Sequence, residues 1–285
     1  MTNRVAGPGL MIVAMMIYAA HDAIAKHVSV SASIPQMLAI ESLVSLALLA
    51  PWIARRGVVA IFNPPSRGLH ALRAALLTAD ITMLFWSLSG APLADVLTIY
   101  QAAPTLTMVL AVLLLRDPAD RFVWIAAAMG VVGVVLVVQP GGAALSMFHL
   151  LAVAGMFAYA GVNLLARSLR DGGVVTIVAW QSVALMLASA PLLPFFWRPL
   201  SPAIVGLALA MGVLTAVGSL MVARALALAP APRVMPLHYT IIVWAVLLGW
   251  LVWGDVPGPM AIGGAVLVIC GGLLASARPS RGREP

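Results

Sequence analysis

Few side chains in this 285-residue sequence can do chemistry, and their spacing is informative. Tyr18, Asp22 and Lys26 recur every four residues, so on a helix they share one face. Tyr159, Asn163 and Arg167 repeat the stripe. Such a stripe either lines a path for a polar solute, or joins Asp22 to Lys26 within its own helix while Lys26 snorkels outward. Asp80, followed by Met83 and Trp86, is an isolated carboxylate in apolar surroundings. It either exchanges a proton, binds the amino group of a solute, or is a structural acid held by hydrogen bonds. Tyr100 and Gln101 precede Pro104, which clashes with the carbonyl four residues back, that of Tyr100, and frees it to face a cavity. His238 and Tyr239 follow Pro236 in a comparable setting. These are binding groups rather than a reacting set. The sequence has no Gly-x-Ser-x-Gly, no His-Glu-x-x-His and no phosphate loop, which argues against an enzyme and against an ATP-driven pump within this chain. No cofactor or metal site is expected. The single cysteine, Cys270, allows no internal disulfide and reads as a small buried apolar residue.

The elements that carry these residues must sit in a bilayer. The sequence is 63% hydrophobic and 9% charged, against roughly 25% charged residues in a soluble domain. A net charge of +7 raises a nucleic-acid reading. It fails, because the basic residues form no stripe and do not interleave with aromatics. Arg4 and the apolar stretch after it resemble a signal peptide, but the span count and charge pattern require the segment to be retained.

Apolar runs of membrane-spanning length recur near 8–29, 34–54, 69–89, 94–115, 121–139, 147–167, 174–195, 203–225, 233–253 and 257–276. Short breakers separate them, among them Asn63-Pro64-Pro65-Ser66, Pro140-Gly141-Gly142 and Pro230-Ala231-Pro232. With a cytoplasmic N-terminus, ten spans put fourteen of the sixteen Lys and Arg residues on the inner side and leave only Lys26 and Arg198 outside. That bias sets an inner-membrane, multi-pass topology with both termini cytoplasmic.

The two halves of the sequence match at nearly constant offsets. An offset of 138 pairs Val96 with Val234, Tyr100 with His238, Asp117 with Asp255 and Gly133 with Gly271. Near the start of each half the offset is 141, pairing Tyr18 with Tyr159, Asp22 with Asn163 and Lys26 with Arg167. The repeats run 1–140 and 141–285 and form one membrane domain. Five spans per half is an odd number, so the second half enters from the opposite side. The expected fold is all-α and integral to the membrane, ten helices in two inverted five-helix repeats, a design that secondary transporters use for alternating access. Gly130 and Gly133, with Gly263, Gly264, Gly271 and Gly272, let the fifth and tenth spans approach other helices closely, inside the protomer or at a dimer face. Trp244, Trp250 and Trp253 are expected to face lipid or the interface.

The segment from Gly90 to Gly141 carries a short-loop Ala-Pro, a mid-span Pro104, an acidic loop residue at Asp117 and a glycine-spaced helix with Gly130 and Gly133. It resembles the drug/metabolite transporter superfamily, in particular its ten-helix EamA-type exporters. The family more often has Glu where Asp117 stands, and the second half repeats the pattern with Asp255, Gly264 and Gly271 but without the mid-helix proline. The resemblance implies a secondary transporter of small molecules, with amino acids, including aromatic and other apolar ones, the first substrate class. A carrier of another metabolite or cationic drug is the alternative, and a lipid-modifying membrane enzyme is the reading from another class. It also implies that the second and seventh helices are peripheral, so Glu41 is expected to pair with a neighbouring helix, with Lys26 a candidate partner. The candidate substrate contacts are Tyr18, Asp22, Asp80, Met83, Tyr100, Gln101, Tyr159, Asn163, His238 and Tyr239. The expected partners are the bilayer and a small solute; proton coupling is one of the three readings of Asp80, and the oligomeric state is open. Counting along straight helices places Tyr100 and His238 on levels about 15 Å apart across one central cavity.

Overall fold

The computed structural model describes residues 3–115, 121–139, 146–166, 169, 173–228 and 234–277. Every regular element among them is a helix: α1 (Asn3–Val28), α2 (Ile34–Arg56), α3 (Val58–Phe62), α4 (Arg67–Leu88), α5 (Leu93–Tyr100), α6 (Ala103–Leu115), α7 (Arg121–Val138), α8 (Met147–Ala166), α9 (Gly173–Ser189), α10 (Leu193–Phe196) and α11 (Pro202–Leu228), then a 3₁₀ segment (Met235–Tyr239), α12 (Thr240–Trp253) and α13 (Pro259–Ala277). Eight spans are long and apolar enough to cross a bilayer by length and composition, and two shorter apolar helices, Trp124–Val138 and Pro259–Leu274, complete ten. Asp117, Arg167 and the loops around Gly141 and Ala231 lie outside the described residues.

Local chemistry sets the ends that matter. Ser33 caps α2: its hydroxyl accepts the Gln36 N–H while the Gln36 carbonyl oxygen accepts the Ser33 N–H at 3.0 Å, a reciprocal capping box. At the other end of the chain, Gly254 turns α12 off with φ 72, a left-handed conformation that favours glycine. Its N–H reaches the Trp250 carbonyl, and the next N–H, of Asp255, reaches Gly249 at 3.1 Å. This fold-back fixes where the Asp255 carboxylate points.

The packing has the exchange symmetry that the sequence offsets require. The first span packs on the eighth (α1 on α11) as the sixth packs on the third (α8 on α4). The third packs on the seventh (α4 on α9) as the eighth packs on the second (α11 on α2). The second and seventh pair with each other, as do the fifth and tenth. Swapping halves leaves this pattern unchanged, and with five spans per half the relating axis lies in the membrane plane. The glycines act inside the protomer. A Cβ added at Gly133 would press on the Gly264 carbonyl and Val268, and one at Gly264 would press on the Gly133 carbonyl, so α7 and α13 touch backbone to backbone.

Three expectations are corrected. The fourth span, drawn as one helix over 94–115, is two, α5 and α6, broken at Gln101 and Ala102 because Pro104 cannot donate to Tyr100. Cys270 is exposed on α13 rather than buried, since an apolar surface costs nothing against lipid. Trp244 packs against the core with its indole Nε1 buried, whereas Trp250 is exposed as expected and Trp253 lies beneath the Lys26 ammonium, 4.7 Å from its ring centre.

Candidate functional site

The break in the fourth span is the centre of the site. It ends α5 at Tyr100, whose buried hydroxyl donates to the backbone carbonyl of Asp80 on α4 at 3.2 Å. Gly155 on α8 makes room for that hydroxyl: a Cβ there would collide with it and would also crowd Met83. Tyr159, one turn further along α8, tilts toward Tyr100 with ring centres 6.4 Å apart. It also lies within electrostatic reach of Asp80, Tyr18 and Arg73, and interacts with Asn163 on the next turn. Asp80 itself is 4% exposed, and its Oδ1 has no hydrogen-bond partner among the described residues. Arg73, two turns nearer the N-terminal end of α4, likewise has a buried Nε with no hydrogen-bond partner among the described residues. The result is an aromatic pair with an unsatisfied acid beside it and an arginine below it.

The second feature is where the two half-related breaks meet. Gln101 Nε2 donates to the His238 carbonyl at 3.2 Å and lies 3.1 Å from His238 Nδ1. This contact corrects the straight-helix count of about 15 Å between the levels of Tyr100 and His238. Because the fourth span is broken and the ninth begins with a tight 3₁₀ segment, the two backbones converge instead of passing at different depths. Tyr239 does not join the group. Its ring seats against Gly272 on α13, where a Cβ would collide with it, and its hydroxyl interacts with Thr105 on α6.

The stripe on α1 divides between two neighbours. Tyr18 shares a hydrogen bond with Ser219 of α11 at 2.9 Å and lies over Gly218. Asp22 does not pair with Lys26. It bonds the adjacent His21, Oδ1 to Nδ1 at 2.8 Å. Lys26 instead holds Asp255 at 3.0 Å, joining α1 to the turn after α12. Glu41 therefore has no bond to Lys26: it accepts from Thr215 of α11 at 3.0 Å and faces His21 Nε2 at 3.5 Å. His21, 7% exposed, was missed by the sequence reading. The available signal was its place beside Asp22 in an apolar span, where an imidazole needs partners. A separate, almost wholly apolar groove of about 650 Å³ lies between α5, α12 and α13, lined by residues such as Thr98, Ile242 and Trp250.

An acid and an aromatic pair thus lie at a helix break between two inverted halves. The profile of the EamA-like transporter family matches residues 5–139 and 146–277, one copy in each half. The chain belongs to that family. Among the transporters it resembles are the riboflavin transporter of Vibrio cholerae serotype O1, 24% identical over 91% of this chain and 89% of the relative, and the pseudopaline exporter of Pseudomonas aeruginosa, 24% identical over 96% of each. The S-adenosylmethionine uptake transporter of Rickettsia conorii is 22% identical over 92% of this chain and 90% of its own length. A solved crystal structure superposes with a TM-score of 0.66 at 15% identity, covering 95% of this chain and 96% of the other, which establishes the same fold. This EamA-like chain is thus a multi-pass membrane protein of a small-metabolite transporter family.

Proposed function

We propose that this transporter exports small amphipathic metabolites, amino acids with aromatic or other apolar side chains first, by alternating access at the Asp80–Tyr100–Tyr159 cluster. The observation that carries the reading is the unsatisfied buried Oδ1 of Asp80 next to two tilted tyrosine rings. A buried acceptor without a donor is costly, and an incoming ammonium group would satisfy it. The rings offer an apolar and aromatic wall for the side chain of the same solute. Arg73, below on the same helix, suits the carboxylate. Tyr18, Asp22 and Asn163 line the approach along α1 and α8, and the Gln101–His238 contact forms the floor between the two breaks. The basic bias supports an inner-membrane location with both termini cytoplasmic.

A second reading has its own support. The relatives are named for riboflavin, pseudopaline and S-adenosylmethionine, which favours a different metabolite in the same aromatic site. Proteoliposome flux with a panel of radiolabelled amino acids, and with riboflavin and S-adenosylmethionine in parallel, separates the two. Tyr100→Ala, Tyr159→Ala and His238→Ala are each expected to reduce flux of the accepted solute without lowering the amount of folded protein in the membrane. Wild-type flux in all three would place the solute elsewhere.

A further inference from the structure

A cluster of ionisable groups adjoins the substrate site, and of its members only Asp22 borders the approach drawn above. His21 sits between two carboxylates, 2.8 Å from Asp22 and 3.5 Å from Glu41, and all three side chains are less than a tenth exposed. Glu41 receives the Thr215 hydroxyl on Oε1, while its Oε2 is buried and has no hydrogen-bond partner among the described residues. Asp22 and His21 lie six and seven residues before the end of α1 and Glu41 seven residues after the start of α2, about 10 Å along each helix and well inside the apolar layer.

Charge balance is the difficulty. With both acids ionised, one imidazolium leaves the cluster a net negative charge away from water. The neighbouring elements do not supply the missing positive charge. On α1, Lys26 is held by Asp255 and Tyr18 by Ser219. From α4, Asp80 adds an acid that interacts with Asp22, and from α5 Tyr100 is a phenol within the same reach. From α11 come the hydroxyls of Thr215 and Ser219, and its Arg224 is exposed nearer the inner end. α12 carries no ionisable residue, and His238 before it is engaged with Gln101. Among the described residues no group of His, Cys, Asp and Glu is arranged to hold a metal ion. A proton on one of the acids is the remaining way to neutrality, and Glu41 Oε2 is the open atom.

Packing does not demand these groups. At the repeat offset of 141 the other half has Val162 for His21, Asn163 for Asp22 and Ser182 for Glu41, and at 138 it has Leu77 for Thr215. The same helix contacts are thus built once with neutral residues and once with three ionisable ones. We infer that Asp22, His21 and Glu41 form a proton-binding site, with the exchangeable proton on Glu41 and its loading coupled to movement of α1 against α2 and α11. The coupling clause rests on the transport reading above; the proton site does not. Proton transfer is between Glu41 Oε2 and water reaching the cluster, with no other bond made or broken. The long His21–Glu41 separation is the contact that loading would loosen, because a neutral carboxyl no longer attracts the imidazolium.

Infrared difference spectra of the purified protein in liposomes, recorded between acidic and alkaline buffer, test this without any solute. A carboxylic-acid carbonyl band should appear on acidification, vanish in Glu41→Gln and persist in Asp80→Asn. Thr215→Val, which keeps every ionisable group, should shift the band. If Glu41→Gln fails to fold, Glu41→Asp should move the band instead of deleting it. A band unchanged in both the Glu41 and Thr215 variants, or one lost only in Asp80→Asn, overturns the assignment. With the band assigned, a proton gradient should drive accumulation of the accepted amino acid in wild type but not in Glu41→Gln, which still exchanges it; dependence on a sodium gradient alone would also overturn the coupling.

Discussion

Two interfaces related by the repeat carry opposite chemistry. Where α8 packs on α4, Tyr159 lies within reach of Asp80 and Arg73, and both of those charged side chains keep a buried atom without a hydrogen-bond partner among the described residues. Where α1 packs on α11, the corresponding Tyr18 lies over Gly218 and bonds Ser219, so the tyrosine is satisfied and the charge lies one turn further along α1, at His21 and Asp22, with Glu41 of α2 facing them. One scaffold with the same helix contacts thus holds an acid and an arginine beside tyrosines on one side and a histidine between two acids on the other, each with two buried side-chain atoms that have no hydrogen-bond partner among the described residues. The inverted repeat fixes the backbone twice, and single residues decide which polar groups each copy buries and leaves open. Unsatisfied buried polar atoms are costly, so they are informative where they persist.

That contrast can be broken most directly at the acids and hydroxyls. Asp80→Asn should lower flux about tenfold or more, because a hydrogen bond to a charged group is worth about 1.5–3 kcal/mol. Ser219→Ala, next to Gly218, the repeat counterpart of Asp80, should stay within about fivefold, since a neutral hydrogen bond contributes about 1 kcal/mol. Initial rates per folded protein in proteoliposomes measure both. If the two variants behave alike, the interfaces are equivalent and the asymmetry has no functional meaning.

The small residues sharpen it next. Gly155 makes room for the Tyr100 hydroxyl, whereas a Cβ at Gly218 would only press on the Tyr18 ring. Thermal unfolding in detergent should show Gly155→Val destabilised by about 1–3 kcal/mol, the range for overpacking, and Gly218→Ala by less than about 1 kcal/mol. The smallest effect is expected at Arg73, whose repeat counterpart is the buried Met211. Arg73→Met makes α4 resemble α11 at that level. It should weaken apparent affinity for a solute bearing a carboxylate about fivefold, corresponding to about 1 kcal/mol, and leave its decarboxylated amine unaffected.

Much of this architecture is written in the sequence, because a bilayer imposes strong one-dimensional rules. Spans must be long and apolar, and an odd number of spans per repeat forces inversion, so ten helices in two inverted halves follow from Ala6 to Ala277 without coordinates. The glycine spacing at Gly133 and Gly264 likewise announces close helix contact. Partner choice among polar residues is different, because it depends on rotation and depth that no spacing rule reports. Lys26 was a natural partner for Asp22 or Glu41 in sequence. It is taken by Asp255, 229 positions away, because Gly254 folds the end of α12 back beside α1. His21 carried no repeat signature, and only the approach of α2 and α11 to α1 turns it into a bridge between two acids. Gln101 meets His238 for a similar reason: Pro104 breaks one helix, the 3₁₀ segment tightens the other, and the two ends converge. Composition and periodicity determined which residues enter the membrane; side-chain geometry across helices decided which of them are satisfied there, because hydrogen bonds act over about 3 Å and sequence periodicity does not resolve that distance.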